Sequence, residues 1–315
     1  MKKPGARPTG FKARRRPLRS PQRPPQRPAR PEVPASAVAP VSAEVRGEKL
    51  HKMLAQAGLG SRRAMEERIR AGDVTVNGKV ASIGDRVSAE DRVKIGERVV
   101  RWPQADQLPR VLLYHKPEGE IVSNDDPQGR PTVFAKLPPA RGAKWLAIGR
   151  LDFNTSGLLI FTTSGDLANR MMHPRFEVER EYAVRVLGTV HPAALDALRQ
   201  GVQLEDGIAR FEQIDEEGGE GANRWFRVLL KEGRNRVVRR LFESQNLTVS
   251  RLMRVRFGII ALPPRLKRGQ FIELSGDEVQ RLLAWSAAPG APEAPSALPV
   301  AAAERSRPRR SSPPR

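Results

Sequence analysis

The sequence predicts an α+β protein with a mainly antiparallel or mixed sheet, a small N-terminal module and disordered tails. Segments with strand and helix periodicity do not alternate regularly, which favours this class over a parallel α/β fold. Both ends of the chain, residues 1–46 and 288–315, are rich in Pro, Ala and Arg and have almost no large apolar residues to bury. The 315 residues leave room for two modest domains between those ends.

The charge of the chain is strongly basic and concentrated in the tails. Net charge is +21, of which residues 1–46 hold +10 and residues 288–315 hold +3, so that the body between them carries +8. A basic body and basic tails favour a polyanionic partner such as nucleic acid. The tails are interpreted either as solubilising extensions or as non-specific RNA tethers.

The composition also excludes several classes of chemistry and location. There is no Cys, which excludes disulfides and thiolate chemistry and suits a reducing cytoplasm. Neither a membrane-spanning run nor the apolar segment of a secretory signal is present. No paired His at metal spacing and no phosphate-binding Gly-rich loop is found, so that no metal or cofactor is expected.

Local signals define a compact module from about Glu48. Apolar residues at helical spacing begin at Leu50 and stop at Gly58, and Ser61 is placed to cap a second helix that ends at Gly72. Residues 74–80 form two short strands around an Asn-Gly turn. Further strands are predicted over residues 92–95 and 98–102.

A second region follows a Pro-bounded linker at residues 103–109. Strands are predicted at 111–114, 181–187, 225–230 and 251–257, and helices at 164–172, 193–200 and 235–245. The last helix has Val237, Val238, Leu241 and Phe242 as its inner stripe. The last strand is predicted to place Arg251, Arg254 and Arg256 opposite Met253, Val255 and Phe257.

Asp152 stands out in a polar loop between two apolar runs, residues 145–148 and 158–161. Such a loop presents one carboxylate at a fixed point, and the chain offers few other groups for covalent chemistry. Asp152 is therefore the first candidate for a catalytic residue.

Two stretches of the chain resemble known families. Gly-Leu-Gly-Ser-Arg-Arg at 58–63 and Gly-Asp-Val-Thr-Val-Asn-Gly at 72–78 make residues 48–107 resemble the S4-type α/β RNA-binding domain. Four motifs make residues 110–285 similar to RNA pseudouridine synthases of the type that acts on ribosomal RNA, and set a catalytic domain at 108–287. They are Lys-Pro-Glu-Gly at 116–119, Gly-Arg-Leu-Asp at 149–152, Arg-Glu-Tyr at 180–182 and Glu-Gly-Arg-Asn-Arg-Val-Val-Arg-Arg at 232–240.

The resemblance implies a pseudouridine synthase fold with a central active-site cleft and a role for each motif. Asp152 would be the catalytic carboxylate, Tyr182 the aromatic residue against the flipped base and an acceptor of the C5 proton, and Arg239 the ion-pair partner of Asp152. The RNA-contacting candidates are Arg62, Arg63, Arg68, Lys79, Arg150, Arg236 and Arg254.

The implied reaction is isomerisation of uridine to pseudouridine in ribosomal RNA, with the large subunit near the peptidyl transferase centre as the expected site. No cofactor is needed, because one carboxylate can either attack C1′ or remove the C2′ proton. The expected partner is ribosomal RNA, with no membrane and a monomeric chain. Alternatives are a uridine of the small subunit or another site, and a non-catalytic ribosome assembly factor.

Overall fold

A computed structural model describes residues 47–102, 107–140 and 142–287. The two predicted tails and residues 103–106 of the predicted linker lie outside the described residues. Spatial contacts divide the chain into two units, Met1–Glu44 and Val45–Arg315, and every described residue belongs to the second unit.

The N-terminal module contains two helices and a small antiparallel sheet. Its elements are β1 (Glu48–Lys49), α1 (Leu50–Gln56), α2 (Arg62–Arg70), β2 (Val74–Val76), β3 (Lys79–Val80), β4 (Arg86–Val87), β5 (Val93–Ile95) and β6 (Arg98–Val99). Four strands form the sheet in the order β3-β2-β5-β6, and β1 pairs with β4.

The local signals of this module are confirmed. Ser61 caps α2, because its side chain accepts a hydrogen bond from the Ala64 amide at 3.0 Å. Asn77 and Gly78 have φ angles of +52° and +84°, the left-handed pair that a two-residue hairpin turn requires. The strand predicted over 98–102 is shorter, since only Arg98–Val99 pairs with β5.

The remaining elements build a nine-stranded sheet with helices packed on it. They are β7 (Val111–Lys116), β8 (Leu146–Ile148), β9 (Ser156–Thr162), α3 (Gly165–Met172), β10 (Arg180–Leu187), α4 (Pro192–Gln200), β11 (Val202–Leu204), β12 (Gly207–Ala209), β13 (Gln213–Glu220), β14 (Asn223–Leu230), α5 (Val237–Glu243), β15 (Thr248–Phe257), β16 (Ile260–Ala261), β17 (Phe271–Glu273) and α6 (Gly276–Ala287). The main path is β13-β14-β10-β15-β9-β7-β17, with β8 on β9 and β16 on β15, while β11 and β12 pair separately. The predicted α+β class with a mainly antiparallel, mixed sheet is confirmed.

One parallel contact interrupts this antiparallel sheet, between β9 and β15. Arg254 is the Cα partner of Gly157 there. A Cβ added to Gly157 would lie 2.2 Å from the Arg254 carbonyl oxygen, and Gly157 has a φ of +108°. Only glycine permits this approach of the two backbones.

A register shift in β15 overturns the predicted alternation of that strand. Glu181 pairs with Arg256, but the next residue of β10, Tyr182, pairs with Arg254, so Val255 is an extra residue on β15. Such a bulge reverses which residues face the core. Arg254 is consequently buried with its guanidinium over the Phe257 ring, whereas the predicted alternation placed the two side chains on opposite faces of the strand.

The helix predicted over 235–245 begins later than expected. Arg236 has a φ of +49°, a left-handed conformation that cannot continue a right-handed helix, and α5 starts at the next residue. Its inner stripe of Val237, Val238, Leu241 and Phe242 is buried as predicted. Across the described ranges, every helix is too short or too polar to cross a lipid bilayer.

Candidate active site

Asp152 lies in a short loop that leaves the sheet after β8 and returns to it at β9. These strands are antiparallel, with Ile148 opposite Ile160. Gly149 turns the chain out of β8 with a φ of +76°. Leu151 is buried and anchors the loop, whereas Asp152 itself is half-buried. The loop therefore presents the carboxylate at the end of the sheet.

Four consecutive carbonyl oxygens of this loop, those of residues 152–155, accept hydrogen bonds from other segments. The donors are Lys116 Nζ to Asp152 (3.0 Å) and to Thr155 (2.8 Å), the Gly119 amide to Phe153 (2.9 Å), and Arg239 Nη2 to Asn154 (2.8 Å). We call these four bonds the carbonyl clamp. They fix the main chain at Asp152 and over the three residues that follow it, and none of them involves the Asp152 side chain.

Lys116 is the central donor of the clamp. It ends β7, is fully buried, and gives a third hydrogen bond to the Pro117 carbonyl at 3.0 Å. Burial lowers the pKa of Lys116 from 10.5 to about 8, and the carboxylates of Glu120, Asp152 and Glu118 oppose this shift. Three carbonyl oxygens thus take the place of water around a buried ammonium group.

Glu120 is a buried carboxylate that interacts electrostatically with Lys116. Its side chain is buried and accepts a hydrogen bond from the Tyr114 hydroxyl at 2.7 Å. Lys136 also forms an ion pair with Glu120. Burial first, and then Glu120, raises the pKa of Tyr114, so this hydroxyl keeps its proton and remains a donor.

Arg239 approaches the loop from α5, but not through the expected ion pair. Its guanidinium donates to the carbonyls of Val249 and Asn154, both at 2.8 Å. Burial lowers the pKa of Arg239, as does Arg236, while Asp152 opposes the shift across a longer distance. Among the described residues, no Lys or Arg nitrogen lies within 4.0 Å of the Asp152 carboxylate. The predicted direct contact is thus corrected to a bond with the main chain two residues away.

The Asp152 carboxylate accepts no hydrogen bond within the described ranges. It lies in the electrostatic field of Lys116 and Arg239, which bind the loop around it. The Asp152 carboxylate is half-buried, its main chain is held in place, and its oxygens accept no hydrogen bond from the described residues. Such a group can act on a bound substrate as a nucleophile or a base.

Tyr182 is close to this loop through the order of the strands. It is 9% exposed on β10 and pairs with Arg254 of β15, which in turn pairs with Gly157. Two strand spacings, about 10 Å, therefore separate the backbone of Tyr182 from the start of β9. Arg239 bridges the same elements by contacting both Asn154 and Val249.

Arg254 was a predicted RNA contact, and its burial corrects that prediction. It is 2% exposed and donates from Nε to the Leu158 carbonyl at 2.8 Å. Its guanidinium carbon lies 4.9 Å from the centre of the Phe257 ring. Burial lowers the pKa of Arg254, and the adjacent Tyr182 hydroxyl opposes that shift. The bulge at Val255 turns Arg254 inward, where its side chain contacts the Tyr182 hydroxyl.

The other six RNA-contacting candidates have exposed side chains. They are Arg62, Arg63, Arg68, Lys79, Arg150 and Arg236. Arg236, just before α5, forms a 3.5 Å ion pair with Glu243, the last residue of that helix. Exposure leaves all six able to reach a phosphate and does not by itself assign them that role.

Sequence reasoning named the Lys-Pro-Glu-Gly motif but gave Lys116 no role in the site. The available signal was a Lys at the end of a run of apolar residues, Val111 to Tyr114, directly before a Pro. A Lys that cannot reach solvent from such a strand needs acceptors, and the loop carbonyls supply them. In the described part of the chain, no cluster of three His, Asp or Glu side chains could hold a metal ion.

Comparison with known proteins defines the class of this chain. The model of the RNA pseudouridylate synthase family matches residues 110–244, and that of the S4 domain matches residues 48–93. A solved structure described as a pseudouridylate synthase superposes with a TM-score of 0.52 at 26% identity, covering 74% of this chain and 99% of that one. The chain belongs to the RNA pseudouridine synthase family and is therefore an isomerase with an S4 RNA-binding domain.

Several bacterial relatives carry the same name, ribosomal large subunit pseudouridine synthase B. The protein of that name from Escherichia coli K12 is 58% identical over 230 residues, covering 72% of this chain and 79% of the relative. The Haemophilus influenzae protein is 53% identical over 242 residues, covering 76% of this chain and 68% of the relative. The Xanthomonas campestris protein is 51% identical over 259 residues, covering 80% and 53% respectively.

Proposed function

We propose that this protein converts a uridine of large-subunit ribosomal RNA, near the peptidyl transferase centre, to pseudouridine. The observation that carries the proposal is the Asp152 carboxylate, which accepts no hydrogen bond from the described residues and whose loop is held by the carbonyl clamp, in a chain of this family. The ribosomal large subunit is taken from the names of the relatives.

The reaction breaks the bond between N1 and C1′, turns the base and joins C5 to C1′. Asp152 either adds to C1′ and is later displaced, or removes the C2′ proton, and both routes use one ionised carboxylate. Tyr182 lies against the flipped base and accepts the C5 proton. N1, freed from C1′, carries a proton in the product, and a proton taken from C2′ is returned to C2′, so that the reaction has no net gain or loss of atoms. Arg239 keeps Asp152 in place by holding the Asn154 carbonyl.

RNA binding is assigned to the exposed cations of both domains. Arg62, Arg63 and Arg68 on α2 and Lys79 on the hairpin are exposed cations of the S4-type domain, suited to binding phosphates. Arg150 and Arg236 would contact RNA next to the site. Flipping the uridine costs a few kcal/mol, which phosphate contacts and stacking offset.

The domain limits, location and oligomeric state belong to the same proposal. An S4-type domain over 48–107 is supported by a separate hydrophobic cluster that includes Leu50, Leu54 and Val93. The catalytic domain covers 108–287, where two further clusters lie on the main sheet. We place the chain in the cytoplasm, where ribosomes are assembled, and assign it as a monomer.

The direct test replaces the carboxylate without changing its shape. Asp152→Asn should keep RNA affinity within about twofold and lose pseudouridine formation by at least about a thousandfold, since the neutral amide supplies neither nucleophile nor base. Pseudouridine is counted by mass spectrometry and mapped by reverse-transcription stops in rRNA from cells that lack the protein.

The control and the contradicting outcomes separate the alternatives. Asp196→Asn, on α4, removes a largely exposed carboxylate and should leave the rate unchanged. Full activity of Asp152→Asn would refute the catalytic assignment. Loss of a small-subunit pseudouridine in the deletion strain would refute the substrate, and complementation of every deletion phenotype by Asp152→Asn would favour an assembly factor.

A further inference from the structure

Phe153 is an exposed aromatic residue immediately after Asp152. Its side chain is 43% exposed, and no other Phe, Trp or Tyr in the described ranges is classed as exposed. Water-facing aromatic surface on a folded domain is often a contact site, because its removal from water is favourable on binding. The position of this ring therefore calls for a functional explanation.

The main chain under Phe153 is unusually well fixed. The Gly119 amide donates to the Phe153 carbonyl at 2.9 Å, and the carbonyls before and after it are held by Lys116 and Arg239. The ring also makes no aromatic or cation–π contact within the described residues. Phe153 is thus an exposed aromatic ring on a main chain that is already held in place. Binding of a ligand to this ring therefore costs little conformational entropy of the protein backbone.

The chemistry of the surroundings points to a nucleobase as the occupant. Arg150, two residues before Asp152, is an exposed cation, and so is Arg236, whose charge reaches Arg239. The proposed function requires Asp152 to reach the sugar of the target uridine. When a nucleotide is flipped out of a stack, each neighbouring base loses its stacking partner on one face. Aromatic side chains stack on such unpaired bases in single-stranded RNA.

We propose that Phe153 is the stacking platform for the base adjacent to the target uridine. The inference rests on the proposed function and extends it to a binding residue that holds the neighbouring nucleotide. Stacking is tolerant of base identity, so Phe153 contributes affinity and register for the flipped state more than sequence readout.

The experiment measures stacking directly on an RNA stem-loop that carries the mapped target uridine. 2-Aminopurine replaces each nucleotide flanking the target in turn, and its fluorescence is titrated with protein. All variants carry Asp152→Asn, so that binding is read without turnover. Phe153 is compared with Phe153→Trp, Phe153→Leu and Phe153→Ala.

The expected result is quenching of one flanking 2-aminopurine by the Phe153 and Phe153→Trp proteins. Quenching should be lost with Phe153→Leu and Phe153→Ala, and RNA affinity should fall by about tenfold. Leu is the informative variant, because it keeps an apolar side chain and removes only the aromatic face. Since Phe153 is exposed and its carbonyl bond does not depend on the side chain, the variants should fold normally.

Ile208→Ala supplies the matched control. Ile208 is 71% exposed on β12, so that its removal tests loss of any exposed apolar side chain. The proposal is overturned if Phe153→Leu quenches and binds like the parent, or if Ile208→Ala weakens binding equally. Concentration-dependent association that Phe153→Ala abolishes would instead assign the ring to a contact between copies of the chain.

The stacking result is separable from the proposed function. A protein with Asp152 restored that forms no pseudouridine in any rRNA refutes the function. If the protein with Asp152 forms pseudouridine but its Asp152→Asn counterpart shows no quenching, only the role of Phe153 is refuted.

Discussion

At the scale of single residues, Lys116 shows how a buried charge can organise an active-site loop. Its ammonium group is fully buried and donates to three carbonyl oxygens, two of which belong to the Asp152 loop. A charged donor to a carbonyl forms a stronger hydrogen bond than a neutral one. Lys116 therefore holds the loop that carries Asp152 through main-chain acceptors.

The lowered pKa of Lys116 predicts a specific dependence of stability on pH. The folded group has a pKa of about 8 and the unfolded group has 10.5, so between these values the unfolded state binds more protons. The contribution of Lys116 to the free energy of unfolding is then fully present above pH 10.5 and lost as the pH falls through 8. Relative to Lys116→Met, wild-type stability should rise by about 2 to 3 kcal/mol from about pH 7.5 to about pH 10.

Urea denaturation followed by tryptophan fluorescence at several pH values measures this difference. Lys79→Met, which removes an exposed lysine, should show the same pH profile as the wild type. A difference between wild type and Lys116→Met that is constant or shrinks with rising pH would contradict a lowered pKa.

At the scale of secondary-structure elements, the parallel contact of β9 with β15 connects the Asp152 loop to Tyr182. The contact depends on Gly157, whose missing side chain lets the Arg254 backbone come close. The bulge at Val255 then turns Arg254 toward Tyr182. A glycine and an extra residue, on different strands, together set the geometry of the site.

Gly157→Ala should be strongly destabilising, because its Cβ would meet the Arg254 carbonyl oxygen at 2.2 Å and no flexible side chain can yield. We expect a loss of about 3 kcal/mol or more in the free energy of unfolding, with loss of activity in the remaining folded protein. Gly221 has a φ of +57° and no atom within 4 Å of an added Cβ, so Gly221→Ala should cost only about 1 kcal/mol. Equal stability of the two variants in urea denaturation would disprove the steric argument.

Some of these elements could be predicted from sequence because their causes are local. The Ser61 cap and the Asn77-Gly78 turn each depend on one or two neighbouring residues. The burial of Arg254 depends on the register between β10 and β15, which no local pattern contains. β13 was missed for a related reason, since its run of Asp, Glu and Gly lacks apolar alternation and pairs with β14 across a turn.

In the candidate site, too, features with a local cause could be predicted from sequence and features set by long-range packing could not. Asp152 and Tyr182 could be proposed as site residues from the order of the motifs along the chain. The bonding of Arg239 could not, because the choice between the Asp152 carboxylate and the Asn154 carbonyl depends on how α5 packs against the loop. Distances of a few Å between distant segments are set by packing.

At the scale of the whole molecule, charge is divided between the tails and the body. Residues 1–46 and 288–315 carry +13 of the net +21. Cations that neutralise phosphates release counterions, so binding weakens as salt rises in proportion to the number of contacts. If the tails tether RNA, they contribute to this salt dependence without contributing sequence information.

Removing both tails should therefore weaken RNA binding and flatten its dependence on salt. We expect residues 47–287 alone to bind about tenfold more weakly at about 50 mM salt, with a smaller deficit at about 200 mM. A full-length chain with the tail Lys and Arg replaced by Gln should behave like the trimmed protein, which separates charge from length. Equal salt slopes for all three proteins, measured by filter binding, would leave the tails a solubilising role.

The carbonyl clamp has a consequence for how this enzyme could change its target. All four of its acceptors are main-chain atoms, so exchanging the side chains of Phe153 and Asn154 leaves every one of those bonds in place. The residues proposed to face the RNA can therefore vary while the carboxylate stays where it is. Mutation or laboratory selection can change how this loop contacts the nucleotides around the target without disturbing the hydrogen bonds that hold the main chain at Asp152.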